Sequence, residues 1–219
     1  MPIRYLTSWN NKAINQIIDV RSPSEFHEDH IPGSANLPVL NDEERKLVGS
    51  IYKNDSPFKA KKLGASLISK NIAMHIKKKF INNPGSWKPL IYCWRGGQRS
   101  NAIAIILSEI GWEVFLLKGG YKTYRKEINN SLNSIINNYK YIVLRGKTGT
   151  AKTKILEMII NKGGYALNLE NLAKHKGSLL GKLPKSSQPS QKYFESLIYF
   201  ELKKLRKNKP VLVESESSK

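Results

Sequence analysis

The chain has 219 residues, 40% of them hydrophobic and 25% charged, a globular composition with room for one large domain or two small ones. No apolar run approaches the roughly 20 residues that span a bilayer, and a single cysteine excludes an internal disulfide. The formal net charge of +20 favours a polyanionic partner, because Lys and Arg release counterions when they bind phosphates, although AT-rich codons alone would also enrich Lys, Asn and Ile. The excess is spread along the chain: residues 1–137 carry a net +9 and residues 138–219 a net +11. The N-terminal stretch MPIRYLTSWNNK has no apolar core and no small-residue cleavage site. With the lone thiol, this points to a reducing cytoplasm and no membrane association.

In chain order, a first strand is expected over residues 16–20 (QIIDV). A Ser-Pro turn and a short helix near 24–27 follow, then an extended segment over 35–39. Residues 42–52 and 58–80 read as helices; in the second, Leu63, Leu67, Ile68, Ile72 and Ile76 approximate one apolar face. Asn82-Asn83-Pro84-Gly85 breaks the pattern. Strands over 89–92 and 113–117 flank an apolar helix over 101–110, and a polar helix runs over 121–137. A second unit begins with a strand at 141–144, a glycine-containing loop and a helix at 152–161. Residues 177–189 read as loop, 191–207 as an amphipathic helix and 210–213 as a last strand ending at Glu214. Strands alternating with helices imply mainly parallel α/β sheets, with domains at 1–137 and 138–219.

The segment Tyr92-Cys93-Trp94-Arg95-Gly96-Gly97-Gln98-Arg99-Ser100 links an apolar strand to an apolar helix. Ligands of open parallel sheets bind where strands end and helices begin, and a two-glycine loop there can turn its N–H groups inward onto an anion. Cys93 would feel the helix dipole and the charges of Arg95 and Arg99, which favour the nucleophilic thiolate. The bland alternative is a buried, inert thiol. Five residues separate Cys93 from Arg99, a spacing shared with cysteine phosphatases. Arg95, Gly96, Gly97, Gln98 and Arg99 are the candidate oxyanion holders, sized for a tetrahedral anion such as selenophosphate, thiophosphate or a phosphoester.

Two further segments make a resemblance specific. Asp19-Val20-Arg21-Ser22-Pro23-Ser24-Glu25-Phe26 and His30-Ile31-Pro32-Gly33-Ser34-Ala35-Asn36-Leu37-Pro38 resemble the signatures of rhodanese domains. Asn41-Asp42-Glu43-Glu44-Arg45, Val48-Gly49, Tyr52-Lys53, the cysteine loop and Lys118-Gly119-Gly120-Tyr121-Lys122 are narrower, and resemble the tRNA 2-selenouridine synthase family. Asp19 and Arg21 themselves read as a strand-end ion pair holding the sheet.

In the second unit, Gly146-Lys147-Thr148-Gly149-Thr150-Ala151-Lys152-Thr153 follows a strand and opens a helix, the context of a Walker A phosphate loop. Gly146, Thr148, Gly149 and Thr150 would surround phosphate oxygens with backbone N–H groups. Lys152 would neutralise the terminal phosphates, and Thr153 would take Mg²⁺. Ala151 departs from the pattern, standing where glycine normally supplies conformational freedom. Lys174, His175 and Lys176 form a basic turn, a candidate contact for tRNA or diphosphate or else a solvated turn. Residues 172–178, 188–195 and 211–217 also resemble the same family. A phosphate-loop unit of about 80 residues is short for its class, so an incomplete second domain is expected.

The resemblance covers nearly the whole chain. It implies a rhodanese-like parallel-sheet domain followed by a partial phosphate-loop α/β domain. It also implies a transferase that replaces the 2-thio sulfur of wobble uridine in tRNA with selenium through an S-geranyl intermediate. Selenophosphate and geranyl diphosphate would be substrates; no tightly bound cofactor or metal cluster is expected, and Mg²⁺ is the candidate cation. By that resemblance Cys93 carries the chalcogen. Competing readings are a generic rhodanese sulfurtransferase, an inactive tRNA-binding remnant, and a cysteine-loop phosphatase. The last lacks an acid within its loop to protonate a leaving group. The sequence does not specify an oligomeric state.

Overall fold

The computed structural model describes residues 2–146, 150–175 and 187–215. Contacts divide the chain into two compact units, residues 1–126 and 127–219.

The first unit is built on a five-stranded, all-parallel sheet. Its strands are β1 (Arg4–Leu6), β2 (Gln16–Asp19), β3 (Ala35–Asn36), β4 (Pro89–Tyr92) and β5 (Phe115–Leu117), in the order β1-β5-β4-β2-β3. β4 and β5 are buried along their whole length, as expected for parallel strands covered on both faces. In register, Asp19 lies opposite Tyr92 and Ile91 opposite Leu116. The strands therefore end together, and the loops after β2, β4 and β5 emerge at one edge.

Helices α1 (Pro23–Glu28), α2 (Asp42–Asn54), α3 (Pro57–His75) and α4 (Gln98–Ile110) cover the sheet. Sequence sets their starts. Asn41 and Glu44 form a reciprocal capping box on α2, and Ser56 caps α3 with Pro57 at its first position. α3 continues as a π-helical turn over Ile76–Phe80. Gly111, at φ 113°, closes α4 in the left-handed conformation. Ile18, Val20, Ile91, Ile103, Leu107 and Leu116 are at most 1% exposed and form the centre of the core. Each contributes on the order of 2 kcal/mol by burial.

Asp19 and Arg21 form the expected ion pair, fully buried at the end of β2. Arg21 donates to both carboxylate oxygens, at 2.6–3.1 Å, and to the Asp29 carbonyl at 2.6 Å. The Arg21 guanidinium lies 4.0 Å from the centre of the Tyr121 ring, and the Tyr121 hydroxyl donates to the Asp29 carboxylate at 2.9 Å. The pair reaches beyond the sheet end, tying three loops together.

The second unit carries a parallel sheet of β6 (Tyr141–Leu144), β7 (Ala166–Leu167) and β8 (Val211–Glu214), in the order β6-β8-β7. Around it lie α6 (Lys152–Asn161), α7 (Leu169–Ala173) and α8 (Gln191–Lys204). Helix α5 (Gly120–Asn137) spans the division between the units. Leu156, Leu202 and Val211 are fully buried in this unit, and the Tyr139 hydroxyl lies 2.6 Å from the Leu202 carbonyl and 3.0 Å from that of Leu205 at the end of α8, donating its one proton to either.

The α/β class and the parallel sheets match expectation. β1, β7 and α7 were not anticipated; they have three, two and five residues, too few for a period to register. α4 begins at Gln98 rather than Asn101, because Gly97 serves as its N-cap. β8 is shifted one residue, to Val211–Glu214, since Pro210 has no N–H to give a ladder. Most of the expected 177–189 loop lies outside the described residues.

Removing one partner of a buried pair leaves an uncompensated charge. Arg21→Ala is therefore expected to destabilise the first unit by about 3–5 kcal/mol, read as a fall in the urea midpoint followed by tryptophan fluorescence. A shift under about 1 kcal/mol would mean that the pair is solvated.

Candidate functional site

Cys93 follows β4 directly and is 3% exposed. Its Sγ accepts a hydrogen bond from the Gly97 N–H at 3.3 Å and lies 3.2 Å from Ser100 Oγ. Ser100 is fully buried, and its Oγ is also 3.1 Å from the Gly97 carbonyl. A hydroxyl has one proton to give. Ser100 therefore gives its proton either to the carbonyl or to the sulfur, one at a time. Ser100 belongs to the motif that identified the loop, but its role is visible only in the fold.

The five candidate oxyanion holders occupy different environments. Arg95 and Gln98 are exposed, while Gly96, Gly97 and Arg99 are half-buried. Arg99 is engaged: its guanidinium forms a two-point ion pair with Glu25, at 2.6 and 3.1 Å. Burial pushes the Glu25 carboxyl up, but the hydrogen bond and charge of Arg99 outweigh it and hold Glu25 below the ordinary carboxylate range. Glu25 also accepts from the Ser22 N–H as part of the α1 capping box. The Ser-x-x-Glu spacing was a readable signal for the cap, whereas the pairing across 74 residues was not.

The loop is braced from below by the turn that opens α5. The Tyr121 N–H donates to the Cys93 carbonyl at 2.8 Å, and the Lys122 N–H to the Trp94 carbonyl at 3.1 Å. Gly96 and Gly120 meet at this contact with φ of 67° and 60°. A Cβ on Gly120 would fall on the Cys93 carbonyl oxygen and the Gly96 nitrogen. Gly120 is thus a requirement of backbone approach, while a Cβ on Gly119 would instead meet the Thr123 side chain. Trp94 stacks on Tyr121 with ring centroids 5.1 Å apart.

In the second unit, Gly146 and Thr150 to Thr153 lie in the described part of the phosphate loop; Thr148 and Gly149 lie outside the described residues. Lys152 Nζ donates to the Gly146 carbonyl at 2.7 Å. Ala151 adopts φ 59°, the left-handed conformation that a side chain disfavours by about 1–2 kcal/mol, the tension anticipated at this position. Thr153 Oγ1 lies 3.0 Å from Glu170 and 3.1 Å from Glu214, both carboxylates. One hydroxyl proton serves one carboxylate at a time, so the other contact requires a proton or a cation. Burial, then the charge of Glu170, pushes the Glu214 carboxyl up. Glu214 is the last residue of β8, the expected acidic strand end; Glu170, on the unanticipated α7, is the residue that sequence reasoning missed. These oxygens are of the type Mg²⁺ prefers. Lys174 adopts φ 51° as the cap of α7, and the His175 N–H donates to the Glu170 carbonyl at 3.0 Å. Lys176 lies outside the described residues.

Residues 4–127 match the rhodanese-like domain family. The chain belongs to the rhodanese-like family. Residues 139–219 of this rhodanese-like chain match the tRNA 2-selenouridine synthase AAA domain, so the resemblance read from the motifs is met in both halves. A tRNA 2-selenouridine synthase of Nitrosomonas europaea is 37% identical over 212 residues, covering 94% of this chain and 54% of the relative. One from a Sulfurovum species is 38% identical, covering 85% of this chain and 50% of the relative. The chain spans about half the length of the curated relatives it matches. A rhodanese-related protein from Thermoplasma volcanium aligns at 20% identity with a TM-score of 0.32, covering 51% of this chain and 77% of that one. No helix among the described residues is long and apolar enough to cross a membrane.

Two predictions follow from these contacts. Gly120→Ala is expected to lower stability by at least about 2 kcal/mol, combining left-handed strain with a backbone collision, as measured by thermal melting. The second concerns Glu214, whose raised folded-state affinity for a proton stabilises the fold fully below the ordinary carboxyl value of 4.5 and is lost as pH rises through the higher folded value. Glu214→Gln should therefore melt above the parent near pH 7, with the gap closing towards pH 4 (about 0.5 below that carboxyl value). A gap independent of pH would remove the carboxyl as its cause.

Proposed function

We propose that this chain is the rhodanese and phosphate-loop portion of a tRNA 2-selenouridine synthase, a transferase that modifies tRNA. The observation that carries the reading is the joining, in one chain, of a cysteine held at the end of β4 by inward-facing loop groups with a second unit matching that enzyme's AAA domain. In this reading Cys93 carries the chalcogen. The loop from Arg95 to Gln98 receives the tetrahedral donor, selenophosphate, while Arg99 acts through its pairing with Glu25. Gly146 to Thr153 hold a diphosphate, with Thr153, Glu170 and Glu214 offering oxygen ligands to Mg²⁺. The uridine sulfur is first geranylated from geranyl diphosphate, with diphosphate as the leaving group, and selenide-level selenium from selenophosphate then displaces that sulfur from C2 as geranylthiol. The charge of +20 and the exposed Arg95 supply attraction for tRNA phosphates. A cytoplasmic location accords with a tRNA substrate.

Nucleoside mass spectrometry of 2-thiouridine-containing tRNA, incubated with this chain, geranyl diphosphate and selenophosphate, tests the proposal. Selenouridine is the expected product, and Cys93→Ala is expected to abolish it while tRNA affinity changes less than about twofold, or ~0.4 kcal/mol. Selenium transfer retained in that variant would exclude Cys93 from the chemistry.

A further inference from the structure

Cys93 is buried, so an anion on its sulfur gains little from bulk water. The two cations of its loop are occupied elsewhere: Arg95 is exposed, and the Arg99 guanidinium is engaged by Glu25. Among the described residues, the polar groups within reach of Sγ are the Gly97 N–H at 3.3 Å, the Ser100 hydroxyl at 3.2 Å and, at a longer 4.0 Å, the Gly97 carbonyl. Ser100 lies in the first turn of α4 and is fully buried, which shields its hydroxyl from solvent.

Ser100 Oγ stands between two acceptors, 3.1 Å from the Gly97 carbonyl and 3.2 Å from the sulfur. Turning its proton from one to the other takes only rotation about the Cβ–Oγ bond, with no movement of heavier atoms. The carbonyl can release that proton without being orphaned, because it also accepts from the Asn101 N–H at 3.1 Å. The hydroxyl can thus give an anionic sulfur a second hydrogen bond beside that of Gly97, and hydrogen bonds to ionised acceptors are the strong ones.

We propose that Ser100 is a catalytic residue of the cysteine loop, its hydroxyl stabilising the anion that appears on Cys93 whenever a bond to that sulfur breaks. The proposal rests on the reading that Cys93 carries a chalcogen. The step is explicit for a sulfane sulfur. In loading, the Cys93 thiolate attacks a terminal sulfur of a polysulfide; the Sγ–S bond forms, and the shortened polysulfide leaves with the electron pair. In discharge, a nucleophile such as cyanide attacks the outer sulfur. A carbon–sulfur bond forms, the Sγ–S bond breaks, and its electron pair returns to Sγ. The sulfane donor supplies the oxidising equivalent, and no other oxidant is needed. Ser100 turns from the Gly97 carbonyl to Sγ as that pair arrives, so its contribution is larger in the transition state than in the loaded state.

The test uses the full chain, whose single cysteine makes every thiol signal that of Cys93. The parent, Ser100→Ala and Ser100→Thr are loaded with inorganic polysulfide, freed of excess donor and discharged into cyanide in a single turnover, with thiocyanate followed against time. Ser100→Ala is expected to discharge at least about tenfold more slowly than the parent, equivalent to ~1.4 kcal/mol. Ser100→Thr, which keeps the hydroxyl, should stay within about threefold, or ~0.7 kcal/mol, and both variants should melt at the parent temperature. Discharge of Ser100→Ala at the parent rate would overturn the proposal and leave the carrier reading standing. A slow variant that threonine does not rescue, or one whose melting temperature falls with its rate, would assign Ser100 to packing and likewise overturn it. A parent that takes up no sulfur on Cys93, as read by intact mass, would reject the carrier role and the proposal with it.

Discussion

The first unit depends on a place where two backbones touch. Gly96, in the loop that follows β4, and Gly120, at the start of α5, approach so closely that neither position has room for a side chain. That approach lets the N–H groups of Tyr121 and Lys122 satisfy the carbonyls of Cys93 and Trp94. With its outward carbonyls satisfied, the loop can direct the Gly97 N–H at sulfur. The parallel register of β2, β4 and β5 brings the two glycine turns to the same edge, and the buried Arg21 side chain, under the Tyr121 ring, keeps them there.

This dependence explains what was legible in the sequence. Strand–loop–helix segments announce themselves through apolar runs bounded by glycine, and β4, α4, β6 and α6 were readable for that reason. Cys93, the phosphate loop and the Asp19–Arg21 pair were readable because each combines a residue type with a local spacing. Interactions between distant segments were not. Glu25 holds Arg99 across 74 residues, and Glu214 meets Thr153 across 61; no local period encodes either distance. The functional grouping of Glu170 was hidden further, since it rides on a helix of only five residues.

The two candidate loops solve a shared problem differently. Both follow a parallel strand and open a helix, yet the cysteine loop makes its sharp turn with Gly96, while the phosphate loop places Ala151 in the left-handed region. The first loop is cross-braced by a second backbone. The described part of the second is held by side chains, with Lys152 on the Gly146 carbonyl and Thr153 between two carboxylates. A backbone brace fixes geometry whatever the protonation state. Contacts among ionisable side chains change with pH and with the cation present.

Strand β6 lies at an outer position of its sheet, with Ile142 50% and Val143 48% exposed. Among the described residues no strand pairs with its outer edge, so it offers a template for pairing with another copy. Exposed Lys140 and Arg145 stand at its two ends, the positions where charged gatekeepers oppose stacking. Colloidal behaviour of the chain is therefore governed by ionic strength: at low salt like charges keep these edges apart, and screening beyond a Debye length of about 8 Å brings them within reach. The positive charge thus also works as a solubility device, and a bound polyanion would remove that protection as effectively as added salt.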